Sequence, residues 1–270
     1  MPTVFLTGAT DGLGRALAHR LAADGADLIL HGRSQQRLDE LAAELGGTGG
    51  LGGKPATVLA DLADLAQVRK LAADVRAATG RLDVFVSNAG VGSGEPDGRE
   101  RRTSADGYEL RFAVNYLAGF LLTEELLPLL RGSAPARIVY VASLGQAPLD
   151  FDDLQLTKNY NGTRAYGQSK LAQIMSGFEL AARLPAAEVT VNSLHPATYM
   201  PTKMVLQEIG HQVDDLSTGV EAVRRLALDP ALTGVTGRFF DRQRETRPNP
   251  QAADPSAQAR LRAASLTLVG

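Results

Sequence analysis

Short apolar runs alternate with amphipathic stretches along the chain. Residues 3–6 (TVFL) read as a buried strand, and residues 13–23 place Leu13, Leu17 and Leu21 on one face of a helix. Further strands are expected at 26–30 (ADLIL), 56–60, 82–87 (LDVFVS), 137–141 (RIVYV) and 189–194 (VTVNSL). Helices are expected at 35–45, 65–78, 106–130, 163–184 and 221–228, with residues 237–240 as a last edge strand. The strands are apolar without a period of two, so both faces of their sheet must be covered. This alternation predicts an α/β fold, a doubly wound parallel sheet of Rossmann type with helices on both faces. No linker divides residues 1–270, which read as a single domain.

Composition narrows the class. Hydrophobic residues make up 44% and charged residues 21%, ordinary values that exclude a disordered chain or a fibrous repeat. There is no cysteine, which removes disulfides, Cys-ligated zinc, iron–sulfur clusters and a cysteine nucleophile. A formal charge of −2 offers no positive field for nucleic acid or an anionic membrane. The start, MPTVFLTGATDG, lacks the basic and apolar regions of a signal peptide. The apolar run 119–130 contains Glu124 and Glu125 and is too short for a bilayer, so no membrane span and a cytoplasmic location are expected. The four histidines, 19, 31, 195 and 211, are scattered without metal-ligand spacing, so no metal is expected and each reads as structural or solvated. The run 46–54 (GGTGGLGGK) lacks the Lys-Ser/Thr ending of a phosphate loop and reads as a flexible surface loop. Residues 95–102 read as a charged surface turn, with Arg99, Arg101 and Arg102 as a small basic face.

The segment Thr7-Gly8-Ala9-Thr10-Asp11-Gly12-Leu13-Gly14 joins the first strand to the first helix. Glycines there let the chain turn tightly and let backbone N–H groups approach a pyrophosphate at the positive end of the helix. Gly8, Thr10, Asp11, Gly12, Leu13 and Gly14 are therefore cofactor-binding candidates. The second strand ends His31-Gly32-Arg33-Ser34. Gly32 supplies no carboxylate for a ribose 2′-hydroxyl, whereas the Arg33 guanidinium suits a phosphate. Arg33 and Ser34 thus point to NADP(H).

Tyr166 and Lys170 stand four apart on a helix, on one face. A phenol titrates near ~10, and a neighbouring ammonium lowers that value. Reaching ~7 needs roughly 4 kcal/mol, more than one exposed lysine supplies. Ser143 sits just past the strand RIVYVA, on the edge where open α/β sheets bind ligands. Asn115 lies in a helical run of apolar residues and needs hydrogen-bond partners if buried. Asn88-Ala89-Gly90 ends the fourth strand, where small residues allow close approach to a cofactor ribose.

These motifs, with Ala60–Leu62 and His195–Ala197, resemble the short-chain dehydrogenase/reductase family from Thr3 to about Pro201. The resemblance implies that Tyr166 is the general acid/base and that Lys170 lowers its pKa and holds the nicotinamide ribose. It further implies that Ser143 orients the substrate carbonyl and that Asn115 supports a water-linked proton relay through Lys170. Asp61, with Leu62 beside it, would meet the adenine, and Asn88, Ala89 and Gly90 the adjacent ribose region. The family usually has Pro-Gly after the sixth strand, where this chain has Pro196-Ala197, so Thr198 and Thr202 are both candidates for the carboxamide contact. The 22 residues between Ser143 and Tyr166, with AYGQSKLA and VTVNSLHP, resemble the retinol dehydrogenase-like and protochlorophyllide reductase-like branch. Protochlorophyllide reduction is disfavoured, since those enzymes typically carry cysteine where Gly167 stands.

The substrate side is less specific. Around residues 199–215 the family places a small lid, and Met200, Met204 and Val205 offer an apolar lining there or plain core packing. The loop 144–161, with Phe151, Leu154 and Tyr160, is expected as another wall. The reading is an NADP(H)-dependent carbonyl reductase or alcohol dehydrogenase acting on a hydrophobic ketone, aldehyde or secondary alcohol. A homodimer or homotetramer paired through the helices carrying Asn115 and Tyr166 is expected from the resemblance. The alternative is a catalytically silent NADP-binding regulator or scaffold on the same fold, against which both Tyr166 and Lys170 speak. A third, an epimerase or dehydratase, would need a larger C-terminal substrate domain than the roughly 70 residues after Pro201 allow.

Overall fold

The computed structural model describes residues 1–46, 54–94 and 100–270. The expected loops 46–54 and 95–102 therefore lie mostly outside the described residues, as does Arg99. Apolar strands and helices follow the expected alternation: β1 (Thr3–Leu6), α1 (Gly12–Ala23), β2 (Asp27–Gly32), α2 (Gln35–Leu45), β3 (Ala56–Leu59), α3 (Leu65–Ala78) and β4 (Val84–Ser87). A π-helical turn, Phe112–Leu117, leads into α4 (Ala118–Gly132), followed by β5 (Ala136–Val141), α5 (Gly162–Arg183), β6 (Val189–His195), α6 (Lys203–Glu208) and α7 (Leu216–Leu228). The chain ends with β7 (Arg238–Asp241), β8 (Arg244–Thr246) and α8 (Pro255–Val269).

All eight strands form one sheet, ordered β3-β2-β1-β4-β5-β6-β7-β8. Its order reverses between β1 and β4, which puts the first crevice for a ligand at their C-terminal ends. Seven strands are parallel, and β8 adds an antiparallel edge. The edge expected at 237–240 is thus an inner strand, because β8 hydrogen-bonds beyond it. Two apolar layers cover the sheet. One gathers Phe5, Phe85, Leu121, Ile138 and Leu171 against α3, α4 and α5; the other gathers Val4, Leu17, Leu30, Leu38 and Val223 against α1, α2 and α7.

The expected helix at 106–130 begins later, at residue 110; Asp106 lies in the preceding turn, where its carboxylate accepts the Leu65 N–H of α3 at 3.0 Å. Residues 112–132 are long and apolar enough to cross a membrane by length and composition, a longer stretch than the sequence reading allowed. Two-thirds of its most apolar 18 residues are buried inside the molecule, as in the core helix of a globular domain. Arg101 is not a simple surface cation either; it is partly buried and its Nε donates to the Gln155 carbonyl at 2.8 Å. The C-terminal helix α8 packs along α5, reaches the π-helical turn through Tyr116 Oη to Ser265 Oγ at 2.7 Å, and reaches α4 through Arg262 to Glu124 at 2.8 Å.

Candidate active site

The turn between β1 and α1 is built before any ligand meets it. Gly8 and Gly12 have φ of +67° and +47°, left-handed values that favour glycine. A Cβ on Gly14 would lie 2.0 Å from the Gly8 carbonyl oxygen, so α1 can approach the turn only without a side chain there. Thr7 Oγ1 accepts the Asn88 and Ala89 N–H groups at 3.0 and 3.1 Å, and Asn88 Nδ2 donates to the Thr7 and Gly8 carbonyls at 2.9 and 3.2 Å. Asn88 is thus committed to the turn itself, and Ala89 packs against Gly8. Asp11 caps α1 by accepting the Gly12 N–H at 2.8 Å and meets Arg37 at 3.2 Å. The Leu13 side chain enters the core, leaving its backbone at the helix start, and Thr10 stays partly exposed.

At the end of β2, a Cβ on Gly32 would lie 2.6 Å from Thr10 Cγ2. Any side chain at that position would therefore require the Thr10 side chain to shift. Arg33 beside it is exposed and engages no partner among the described residues. Ser34 caps α2 toward the Arg37 N–H at 3.5 Å. After β3, Asp61 is exposed and its Oδ1 accepts the Ala63 N–H at 2.9 Å, while Leu62 is buried. These groups lie along one edge of the sheet, and Gly8 and Gly14 let the turn pack directly against Ala89 and Asn88, where a Cβ would clash.

Beyond β5 and on α5 the reacting candidates come together. Asn161 caps α5 by accepting the Arg164 N–H at 2.9 Å, and the helix carries Tyr166 and Lys170 one turn apart. Lys170 is buried; its ammonium donates to the Val141 carbonyl at 2.9 Å and to Gln173 Oε1 at 3.1 Å, and lies 5.8 Å from the centre of the Tyr166 ring. Burial pushes its pKa down to about 8. Tyr166 departs from expectation: its phenol stands above the ordinary value. Burial is the main cause, the Ser143 hydroxyl pulls it partly back, and the Glu208 carboxylate pushes it up further. The Lys170 ammonium, turned toward Val141 and Gln173, does not offset that burial.

Asn115 sits in the π-helical turn, 1% exposed. Its Oδ1 accepts the Val91 N–H at 2.8 Å, and its Nδ2 donates to the Val91 carbonyl at 3.1 Å and to Ser169 Oγ at 3.0 Å. The widened turn aims this polar side chain out of the helix and clamps the loop after β4. A Cβ on Gly90 would lie 3.1 Å from Asn115 Oδ1 and 3.5 Å from Lys170 Nζ, so Gly90 keeps the approach to both open. Ser143 accepts the Gly145 N–H at 3.0 Å, and a Cβ on Gly167 would meet Ala147 at 3.0 Å, which leaves little room for a larger residue.

The two threonine candidates separate. Thr198 is tied into a network with His195 Nε2 at 3.1 Å, Arg242 at 3.3 Å and Asp214 at 2.7 Å. Thr202 caps α6, and a Cβ on Gly12 would lie 3.0 Å from its methyl group, so Thr202 overlies the glycine turn and Thr198 does not. Pro196, buried after β6, starts this segment. Several supporting residues escaped the sequence reading. Gln173 holds Lys170, and Gln146 donates to the Ser143 carbonyl at 2.8 Å while accepting the Asn249 N–H at 2.7 Å. Buried Arg111 donates to the Gly92 and Ser93 carbonyls at 2.7 and 2.6 Å and to Tyr160 Oη at 2.5 Å. Ser169, on α5 beside Lys170, is another: its Oγ accepts from Asn115 Nδ2 at 3.0 Å.

Comparison with known proteins follows the same geometry. The family model described as short chain dehydrogenase matches residues 2–212. The chain is 34% identical to human retinol dehydrogenase 13 over 99% of its own length and 84% of that protein. It is also 34% identical to a Streptomyces sp. (strain C5) protein assigned as a daunorubicin C-13 ketoreductase, over 99% of this chain and 92% of that one. Among solved structures, a Shigella flexneri protein described as a short chain dehydrogenase and complexed with NADP superposes with a TM-score of 0.71 at 25% identity, covering 90% of this chain and 97% of that chain. The chain is an oxidoreductase that belongs to the short-chain dehydrogenase/reductase family, in its retinol dehydrogenase-like branch.

Proposed function

We propose that the protein is an NADP(H)-dependent carbonyl reductase that interconverts a hydrophobic ketone or aldehyde and its alcohol. The observation that carries this reading is the convergence of Ser143, Tyr166, Lys170 and Asn115 at one sheet edge, beside a glycine turn shaped for a pyrophosphate. Two relatives are named for alcohol and ketone chemistry, and a related structure is complexed with NADP. Exposed Arg33, without a partner among the described residues and next to a glycine that carries no carboxylate, supports the 2′-phosphorylated cofactor.

The glycine turn would hold the pyrophosphate, Arg33 and Ser34 the 2′-phosphate, Asp61 the adenine side, and Lys170 and Thr202 the nicotinamide end. The bound cofactor supplies or accepts the hydride. Ser143 would donate to the substrate carbonyl oxygen and fix its position. Tyr166, whose phenol burial holds above its ordinary value, would supply the proton that the oxygen needs as negative charge develops. Lys170, one helical turn away, would favour the phenolate left behind once it faces the ring. Exposed Leu144, Tyr199, Leu206 and Ile209 around the substrate edge favour an apolar substrate. An NADPH-consumption screen across aliphatic, aromatic and polycyclic ketones, with an NADH control, tests this. NADPH oxidation that needs an apolar ketone supports it; binding without turnover on any carbonyl points to a scaffold instead.

We also propose a constraint on assembly. Because α8 lies along α5 and reaches α4, pairing through those two helices would have to include or displace α8. Light scattering on the full chain and on a Tyr116→Phe, Arg262→Ala variant distinguishes the routes.

A further inference from the structure

One buried polar side chain outside the reacting cluster touches the cofactor cradle. His31, in β2, is 3% exposed. Its Nδ1 accepts the Gly8 N–H at 3.2 Å, and its Nε2 stands 3.1 Å from the Ala60 carbonyl oxygen. An N–H only donates and a carbonyl oxygen only accepts. Nδ1 is therefore bare and the single ring proton sits on Nε2. Only the neutral imidazole in that tautomer satisfies both neighbours. Burial enforces the neutral state, pushing the pKa down to about 4 against the weaker upward pull of the Ala60 hydrogen bond and of Asp61. The main chain adds a third tie, with the His31 carbonyl accepting the Ala9 N–H at 2.8 Å.

The ring thus adds a side-chain link between two segments that the main chain ties only to the end of β2, through the Ala9 N–H to the His31 carbonyl at 2.8 Å and the Ala60 N–H to the Gly32 carbonyl at 3.2 Å. On one side is the glycine turn, held through the Gly8 N–H. On the other is the loop after β3, which carries Asp61 and Leu62. We propose that His31 is a positioning residue of the cofactor site, fixing the glycine turn through Gly8 and setting its spacing from the adenine-side loop through Ala60. The assignment rests on the cofactor reading above. Drawing the Gly8 N–H inward sets the peptide plane at the start of the turn, where φ is +67°. A turn ordered in advance loses less freedom when the cofactor binds, so the ring acts on affinity.

Two conservative variants separate the two contacts. The asparagine carboxamide reaches about as far as Nδ1, and the glutamine carboxamide about as far as Nε2. His31→Asn retains the acceptor for Gly8, His31→Gln retains the donor to Ala60, and His31→Leu removes both. NADPH itself is the probe, titrated calorimetrically into each purified full-length variant, with melting temperatures measured in its absence. A hydrogen bond lost with its partner left unmet corresponds to about 5- to 150-fold in an equilibrium. His31→Leu is expected to weaken NADPH binding by a factor in that range. His31→Asn is expected to recover most of the loss and His31→Gln less, with the effect falling on KM for NADPH more than on kcat. Long-range proton–nitrogen NMR is expected to show His31 protonated at Nε2 alone. Unchanged NADPH binding in a folded His31→Leu overturns the assignment, as do losses that follow melting temperature equally in all three variants, or a proton on Nδ1. A wild type that binds neither NADPH nor NADH overturns the cofactor reading itself, and this inference with it.

Discussion

Helices α1 and α6 both follow a strand on the same edge of the sheet, and they are held in opposite ways. α1 buries Leu13, Gly14, Leu17, Ala18, Leu21 and Ala22 in the apolar layer under the glycine turn. α6 buries none of its six residues. It is held by polar contacts instead: Glu208 accepts from Ser93, and the two ends of its loop are joined where Thr198 and Asp214 exchange hydrogen bonds at 2.7 and 3.0 Å, with Arg242 against both. Tyr199, Leu206, Ile209 and Val213 remain exposed along this segment. Burial of several leucines makes displacement of α1 costly, at roughly 1.5–3 kcal/mol for each large side chain. Exchanging exposed hydrogen bonds with water is nearly balanced. The proposed cofactor edge is thus part of the core, whereas the proposed substrate edge is attached to it mainly by polar contacts.

Tyr166 stands where the two edges meet, and its removal has the largest expected effect. Tyr166→Phe keeps the ring and removes the proton, so turnover should fall about 10²–10⁴-fold in both directions while NADPH titration stays normal. The pH profiles sharpen this. Reduction uses the neutral phenol and oxidation the phenolate. With the phenol held above its ordinary value, oxidation by the wild type should rise with pH and reduction should fall only on the alkaline side. Near-wild-type turnover in the variant would refute Tyr166 as the acid/base.

Lys170 offers a stability measurement on the same seam. Its folded pKa of about 8 lies below the ordinary 10.5, so between those values the unfolded chain binds more protons. Stability therefore carries the full cost of the buried charge below about pH 8 and recovers as pH rises toward 10.5, by roughly 3 kcal/mol. Urea unfolding across that range should show this rise in the wild type relative to Lys170→Met. Parallel curves would mean that the ammonium is well solvated in the folded protein.

The same contrast explains what the sequence disclosed. The glycine turn is legible because its parts lie within eight residues and need no distant partner, and Tyr166 and Lys170 because a helix places every fourth residue on one face. The substrate edge depends on pairs far apart in sequence, such as Ser93 with Glu208 or Gln146 with Asn249, for which no local period exists. α8 was hidden because its buried face, Ala257, Leu261, Ser265 and Val269, mixes small and polar residues with leucine and valine. β8 was hidden because Arg244 and Glu245 make an exposed, charged edge, as unpaired edges require. The π-helical turn had one sign, a polar Asn115 in an apolar run, but a single extra residue in a helical turn leaves the average period nearly unchanged. The raised Tyr166 phenol follows from burial and from the Glu208 carboxylate, 42 residues away in the chain, neither of which residue spacing specifies.

On the cofactor edge, Arg33→Ala tests whether selectivity resides in one side chain. A charge-assisted contact contributes roughly 1.5–3 kcal/mol, or about 10- to 150-fold in affinity. NADPH binding should weaken by that factor and NADH binding should stay nearly the same, because only the 2′-phosphate loses its partner. Equal weakening of both would move the guanidinium elsewhere on the dinucleotide.

Glu208→Ala probes the attached edge, and its expected effect is the smallest. The carboxylate accepts the Ser93 N–H at 3.0 Å and its hydroxyl at 2.7 Å, bridging α6 to the loop after β4. The site is partly exposed, so water replaces much of what is lost and the net cost is about 1 kcal/mol. KM for the carbonyl substrate should rise about fivefold, while NADPH affinity stays unchanged because the glycine turn does not use this contact. Glu208 also pushes the Tyr166 phenol upward, so its removal lowers that pKa and moves the alkaline fall of reduction to lower pH. Unfolding free energy should move by no more than that 1 kcal/mol, against the 2–5 kcal/mol expected for Leu17→Ala in α1. A Glu208→Ala protein destabilised as much as Leu17→Ala would place α6 in the cooperative core and erase the distinction between the two edges.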